Sequence, residues 1–90
     1  MEERGLTMLN LTYYMRDDCA LCNEGKLQIR LALSELRNDL VQLTEVNIDE
    51  DDELQEEYMV RIPVLSNGDE VIQEGVLDFV KIYDYIREHK

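Results

Sequence analysis

From Leu6 to Met15 the chain is apolar with few breaks. Leu9, Leu11, Tyr13 and Met15 fall on one side of an extended backbone, Thr12 and Tyr14 on the other. That pattern predicts a strand buried on both faces, at the centre of a sheet with helices above and below. Arg16-Asp17-Asp18 is the turn out of it. From Cys19 to about Asn38 the apolar period lengthens: Cys22, Ile29, Leu33, Leu36 and Leu40 share one helical stripe, with Arg30 and Arg37 beside it and outward. Leu27 and Leu31 lie on the opposite side, as contacts to a neighbouring helix or simply as exposed leucines. Gly25, within the first two turns, costs helix stability and points to close backbone packing there.

Leu43 to Ile48 returns to alternation, but Leu43 is out of phase with Val46 and Ile48, which calls for a bulge or a late start. A helical connection makes this second strand parallel to the first, by a right-handed crossover. The acidic run Asp49-Glu50-Asp51-Asp52-Glu53 has the look of a metal site or recognition patch. It also opens the next helix, where the dipole favours carboxylates, and it has no EF-hand spacing or glycine. The helix-start reading is the one adopted. A short helix Glu53–Tyr58 ends before Arg61-Ile62-Pro63, because the residue before proline avoids the helical region. Pro63 to Ser66 reads as a strand, Asn67-Gly68 as a type I′ hairpin turn, and Glu70 to Gln73 as the return strand. Gly75 breaks the chain. A last helix runs from Val76 or Asp78 to Glu88 with Phe79, Ile82, Tyr83 and Ile86 inward; Asp78 at its start and Arg87, His89 and Lys90 at its end complement its dipole. His89 is thereby a C-terminal charge, not a ligand. The order β-α-β-α-β-β-α predicts an α/β protein: a four-stranded mixed sheet covered on both faces, one domain over residues 1–90.

Composition narrows the class. The 90 residues can bury a single core without obligatory staples. No apolar run approaches the roughly 20 residues that span a bilayer, and Met1-Glu2-Glu3-Arg4 is no signal peptide. Two adjacent cysteines are no secreted disulfide framework, so a reducing cytoplasm is the expected location. With 21 acidic against 9 basic side chains the net charge is −12. Nucleic acid and anionic membranes are therefore poor partners, whereas a basic protein or a neutral substrate is easily accommodated.

The chemistry sits where the first strand gives way to the first helix. Both cysteines are here, as Cys19-Ala20-Leu21-Cys22. A C-x-x-C at a helix start inside a βαβ unit reads as a thioredoxin-like dithiol. The first sulfur meets unpaired helix amides and the positive end of the dipole, which favour a thiolate; the second follows within one turn, close enough to expel a mixed-disulfide partner. A static disulfide would close only a tiny loop and stabilise little. Half of a zinc site would lack ligands, since the only histidine, His89, is near the far terminus.

These residues resemble the thioredoxin superfamily, and its glutaredoxin-like branch in particular. The resemblance rests on Leu11-Thr12-Tyr13-Tyr14 before Cys19-Ala20-Leu21-Cys22, then Val46-Asn47-Ile48-Asp49, Tyr58-Met59-Val60-Arg61-Ile62-Pro63-Val64-Leu65, and Gly75 ahead of the last helix. It implies a dithiol–disulfide oxidoreductase in which Cys19 attacks and Cys22 resolves. It implies a cis Pro63 facing the dithiol, with the Ile62 backbone pairing to an extended substrate as an added strand. Arg16, Ile62, Pro63, Gly75 and Asp78 are the substrate-binding positions it implies. No metal or cofactor is expected. The partners expected are a protein or small-molecule disulfide and a reductant, either glutathione or a thioredoxin-reductase-like enzyme, acting on a monomer. Two other classes fit the same residues: a thioredoxin-fold interaction module with an idle dithiol, and a metal or iron–sulfur carrier completed by a second chain or glutathione.

The departures from glutaredoxins carry their own expectation. Ala20-Leu21 replace a proline and an aromatic, Glu74-Gly75 replace paired glycines, and Met59 replaces the glycine after Tyr58. Arg16 stands loosely for a glutathione-binding lysine, beside Asp17 and Asp18. Glutathione, an anion, is therefore expected to bind weakly or not at all. The two aspartates should also offset the helix dipole, leaving Cys19 close to a free thiol and the couple reducing.

Overall fold

The computed structural model describes residues 9–36 and 41–89. Its elements are β1 (Leu9–Met15), α1 (Ala20–Leu36), β2 (Val41–Asn47), a 3-10 turn (Ile48–Glu50), α2 (Asp52–Tyr58), β3 (Val64–Asn67), β4 (Glu70–Glu74) and α3 (Phe79–His89). The sheet order is β2-β1-β3-β4. β1 and β2 are parallel, while β3 is antiparallel to both β1 and β4. This is the four-stranded mixed α/β sheet that the pattern predicts. Leu6 at the head of the first run, Arg37, Asn38 and Leu40 at the end of the helical stripe, the His89 side chain and Lys90 lie outside the described residues.

Each face of β1 meets a different helical layer. Leu11 and Tyr13 are buried with Ile29 and Ala32 of α1, Leu65 of β3, Leu77, and Ile82 and Ile86 of α3. On the other face Tyr14 stacks on Tyr58 of α2, with ring centroids 4.2 Å apart and planes at 17°. Such a stack is worth about 0.5–1.5 kcal/mol beyond the area it buries. The inward stripe of α1 is Cys22, Gly25, Ile29 and Ala32, two small residues among larger ones. Gly25 is there because the sheet comes close: a Cβ on it would lie 2.5 Å from the Tyr13 hydroxyl. Leu27 and Leu31 are exposed.

Two local readings are corrected. β2 begins at Val41 and pairs with β1 in unbroken register, so it has no bulge; Leu43 packs against the core on one side and Val46 is half-buried on the other. The bulge lies in the hairpin, where the register shifts between Leu65 and Ser66. The hairpin turn is Gly68-Asp69, with Asn67 paired to Glu70. Only Gly68 of the two has a positive φ (61°), which excludes type I′. The acidic run does open α2: Asp51 accepts from the Glu53 and Leu54 amides at 2.8 and 3.3 Å, and Asn47 caps the preceding 3-10 turn.

Candidate dithiol site

The register brings three loops to one end of the sheet. Tyr14 pairs with Val64 and Val64 with Glu74, so β1 ends where β3 begins and β4 ends. The segments 16–19, 62–63 and 75–78 therefore share that end.

Cys19 precedes α1 at the capping position and is bonded to Cys22 in a disulfide, with Cα atoms 5.1 Å apart. The Cys22 amide donates to the Cys19 sulfur at 3.1 Å, the bond an N-cap oxygen would ordinarily accept. Cys19 is half-buried and Cys22 is 2% exposed. Hence the first sulfur faces both solvent and helix amides, and the second backs onto the core. Asp18, immediately before Cys19, is the one described non-glycine residue with positive φ, at 56°. Aspartate tolerates that conformation, and it helps turn the chain from strand to helix within residues 16–19.

The turn is tied to the end of β2 by Asn47, which accepts from the Asp49 amide at 2.9 Å and donates to the Asp17 carboxylate at 3.4 Å. Arg16 pairs with Asp49 at 3.1 Å, both side chains well exposed. Its charge is thereby engaged by the 3-10 turn after β2.

The Ile62–Pro63 bond is cis, and Pro63 is buried. The ring approaches α1 near Gly25, where a Cβ would meet its Cγ at 3.4 Å. The Pro63 carbonyl accepts from the Gly75 amide at 2.8 Å, which links the second and third loops. Gly75 has φ +80°, a conformation that L residues resist. The Ile62 amide donates to the Tyr58 carbonyl at 3.0 Å, at the C-terminus of α2. The Ile62 amide is thereby already paired within the chain. Asp78 accepts from the Val80 amide at 3.1 Å and so caps its own helix.

Residues not singled out from sequence complete the site. The Tyr13 phenol, fully buried, donates to the carbonyl of Cys22. Burial, and secondarily the charge of Glu45, pushes its pKa up to about 12, so it remains a donor at any physiological pH. Gln73 accepts from the Asp78 amide at 2.8 Å and Gln28 from the Phe79 amide at 3.0 Å. The amides of Asp78, Phe79 and Val80, at the start of α3, are thus occupied by the chain's own side chains. Arg61 lies over the Tyr58 ring and pairs with Glu57 and Glu74 at 3.0 and 2.9 Å. A buried tyrosine needs a partner for its hydroxyl, and that rule was the available signal for Tyr13. Gln28 is 51 residues from the amide it meets and Gln73 five from its own, and neither carried such a signal. Among the described residues no group of acidic, cysteine or histidine side chains could hold a metal ion, and no helix is long and apolar enough to cross a membrane.

With this geometry, the comparison with known families is decisive: the model of the glutaredoxin-like domain (DUF836) matches residues 10–87. The chain belongs to that family. The chain is also similar to a structural-genomics target protein from X. campestris, whose X-ray structure is 29% identical with a TM-score of 0.65. That alignment covers 87% of this chain and 96% of the other. Protein Ne2328 from Nitrosomonas europaea, solved by NMR, is also 29% identical, with a TM-score of 0.69 over 94% of this chain and 98% of its own. Chloroplastic thioredoxin z, at 15% identity, shares the fold, with a TM-score of 0.68 over 90% of this chain and 77% of that one. No curated protein sequence matches the chain. A thioredoxin-like fold carrying a Cys-x-x-Cys pair at the start of its first helix points to redox function.

Proposed function

We propose that this glutaredoxin-like protein is a cytoplasmic thiol–disulfide oxidoreductase that acts as a monomer on neutral or basic disulfides, protein disulfides foremost. The observation that carries the reading is the asymmetry of the pair. Cys19 is half-buried and receives an amide hydrogen bond at 3.1 Å, whereas Cys22 is 2% exposed one turn behind it. A thiolate at Cys19 attacks one sulfur of the substrate disulfide, forming a mixed disulfide and releasing the other sulfur as a thiolate. Cys22 then loses its proton to solvent and attacks the Cys19 sulfur. The Cys19–Cys22 bond forms, the bond to substrate breaks, and two electrons have passed to the substrate.

Substrate class follows from the surroundings. Leu21, Val60 and Val76 are 46%, 88% and 74% exposed on the motif and on the loops at its end of the sheet, an apolar collar suited to a protein surface. Glutathione fits poorly. The α3 amides that would favour a carboxylate are filled by Gln73, Gln28 and Asp78, and the chain carries a net charge of −12. A thioredoxin-reductase-like donor is the better match.

The test is insulin reduction with dithiothreitol as reductant, together with trapping. Cys22→Ser should accumulate a mixed disulfide through Cys19, and Cys19→Ser should accumulate none. Absence of turnover in the wild type, or trapping by the wrong variant, would overturn the reading.

A further inference from the structure

We propose that Tyr13 and Gly25 form a lock that positions Cys22 for the resolving step, a role resting on the oxidoreductase reading above. Tyr13 lies on the central strand and Cys22 in the first turn of α1. The buried phenol donates to the Cys22 carbonyl and so ties the helix start to the sheet. The hydroxyl occupies the space beside Gly25 that a side chain would take. A Cβ there would lie 2.5 Å from it, with Leu77 and Pro63 also close, at 3.3 and 3.4 Å. The two residues are therefore one device: the glycine makes room for the oxygen, and the oxygen holds the carbonyl.

The device acts on one step and not on the other. Attack by Cys19 on an incoming disulfide depends on its exposure and on the Cys22 amide at 3.1 Å. Resolution depends on how often the Cys22 sulfur sits in line with the Cys19–substrate bond, that is, on its effective concentration. The backbone of Cys22 is what Tyr13 holds. The phenol contributes no proton to the reaction, because it is already donated to the carbonyl and stays protonated. Every described aspartate and glutamate is exposed, so no buried carboxylate serves Cys22 as a base. Placement is thus the protein's contribution to resolution.

The experiment mixes reduced protein with dithiodipyridine, a neutral aromatic disulfide that releases one absorbing thione per step. The first release reports attack by Cys19, the second resolution by Cys22. In Tyr13→Phe the first rate should stay within about twofold, while the second falls roughly three- to tenfold, the range expected for one lost hydrogen bond. The Cys19–Cys22 disulfide, equilibrated against dithiothreitol, should weaken by a similar factor. Gly25→Ala should slow the second release in the wild-type background and change it little in Tyr13→Phe, since the colliding oxygen is then gone. Equal slowing of both releases, an unchanged second release, or additive effects of the two substitutions would overturn the lock. A wild type that releases only one thione would instead overturn the oxidoreductase reading.

Discussion

Asp18→Asn isolates the charge beside Cys19, the nucleophile of the proposed reaction. Asparagine has the shape of aspartate and tolerates the φ of 56° equally well, so the turn into α1 should persist. What changes is one negative charge immediately before Cys19. No hydrogen-bond or ion-pair partner of the Asp18 carboxylate is found among the described residues, whereas Asp17 is drawn to Asn47 at 3.4 Å and Asp49 to Arg16 at 3.1 Å. At a separation of roughly 7 Å in water-like surroundings, a carboxylate opposes a thiolate by about 0.6 kcal/mol. That is about a factor of three in thiolate population while the thiol remains mostly protonated. Iodoacetamide alkylation of Cys19 in the reduced Cys22→Ser background at neutral pH should therefore be about threefold faster in Asp18→Asn at low salt. The difference should shrink as salt screens the charge. Asp17→Asn should give a smaller gain. A stabilised thiolate stabilises the reduced form, so the wild-type couple in Asp18→Asn should also become more oxidising. An alkylation rate unchanged or lowered by Asp18→Asn would refute the reasoning.

Three further outcomes are expected. Gly75→Ala meets no atom within 4 Å but must adopt φ +80°, so it should cost about 1–2 kcal/mol, read as a fall in Tm of roughly 4–8 °C for each. Tyr13, raised from 10.0 to about 12, favours the fold fully below pH 10, and that contribution is lost as the pH rises from 10 to 12. Denaturant titrations across that window should show a smaller loss in Tyr13→Phe; the remainder belongs to Tyr58 and Tyr85, whose phenols burial also raises. Glutathione at physiological salt should give no saturable turnover of a glutathionylated peptide, and saturation would show that the occupied α3 amides can be displaced.

The fold was legible because its strongest signals are local and agree. The alternation through Leu9, Leu11, Tyr13 and Met15, the lengthened period after Cys19 and the proline at 63 each specify one element and one boundary. The errors fell where tertiary packing overrides the local pattern. Leu43 and Val46 conflict only if a single side of β2 is covered, whereas Leu43 packs against the core and Val46 is half-buried on the other side. Asn67-Gly68 is a strong turn signal, but the bulge at Leu65/Ser66 moves the hairpin register by one residue.

The site divides along the same line. The dithiol was legible because Cys19, Cys22 and the helix start are contiguous in the chain. The groups around it come from far apart: Tyr13 on β1, Asn47 on β2, Tyr58 on α2, Gln28 on α1 and Gln73 on β4. Gly25 was the exception, since an unfavourable residue in a helix asks what approaches it, and the answer is the Tyr13 hydroxyl. The glutamines change how the α3 terminus should be understood. A free helix N-terminus would attract an anion, yet here glutamine oxygens take the Asp78 and Phe79 amides and the Asp78 carboxylate takes that of Val80. These caps satisfy the backbone, and an anionic ligand must displace them while also approaching a protein of net charge −12. Both effects act against a small anionic thiol, and neither hinders a neutral or basic protein chain reaching Cys19 across Leu21, Val60 and Val76.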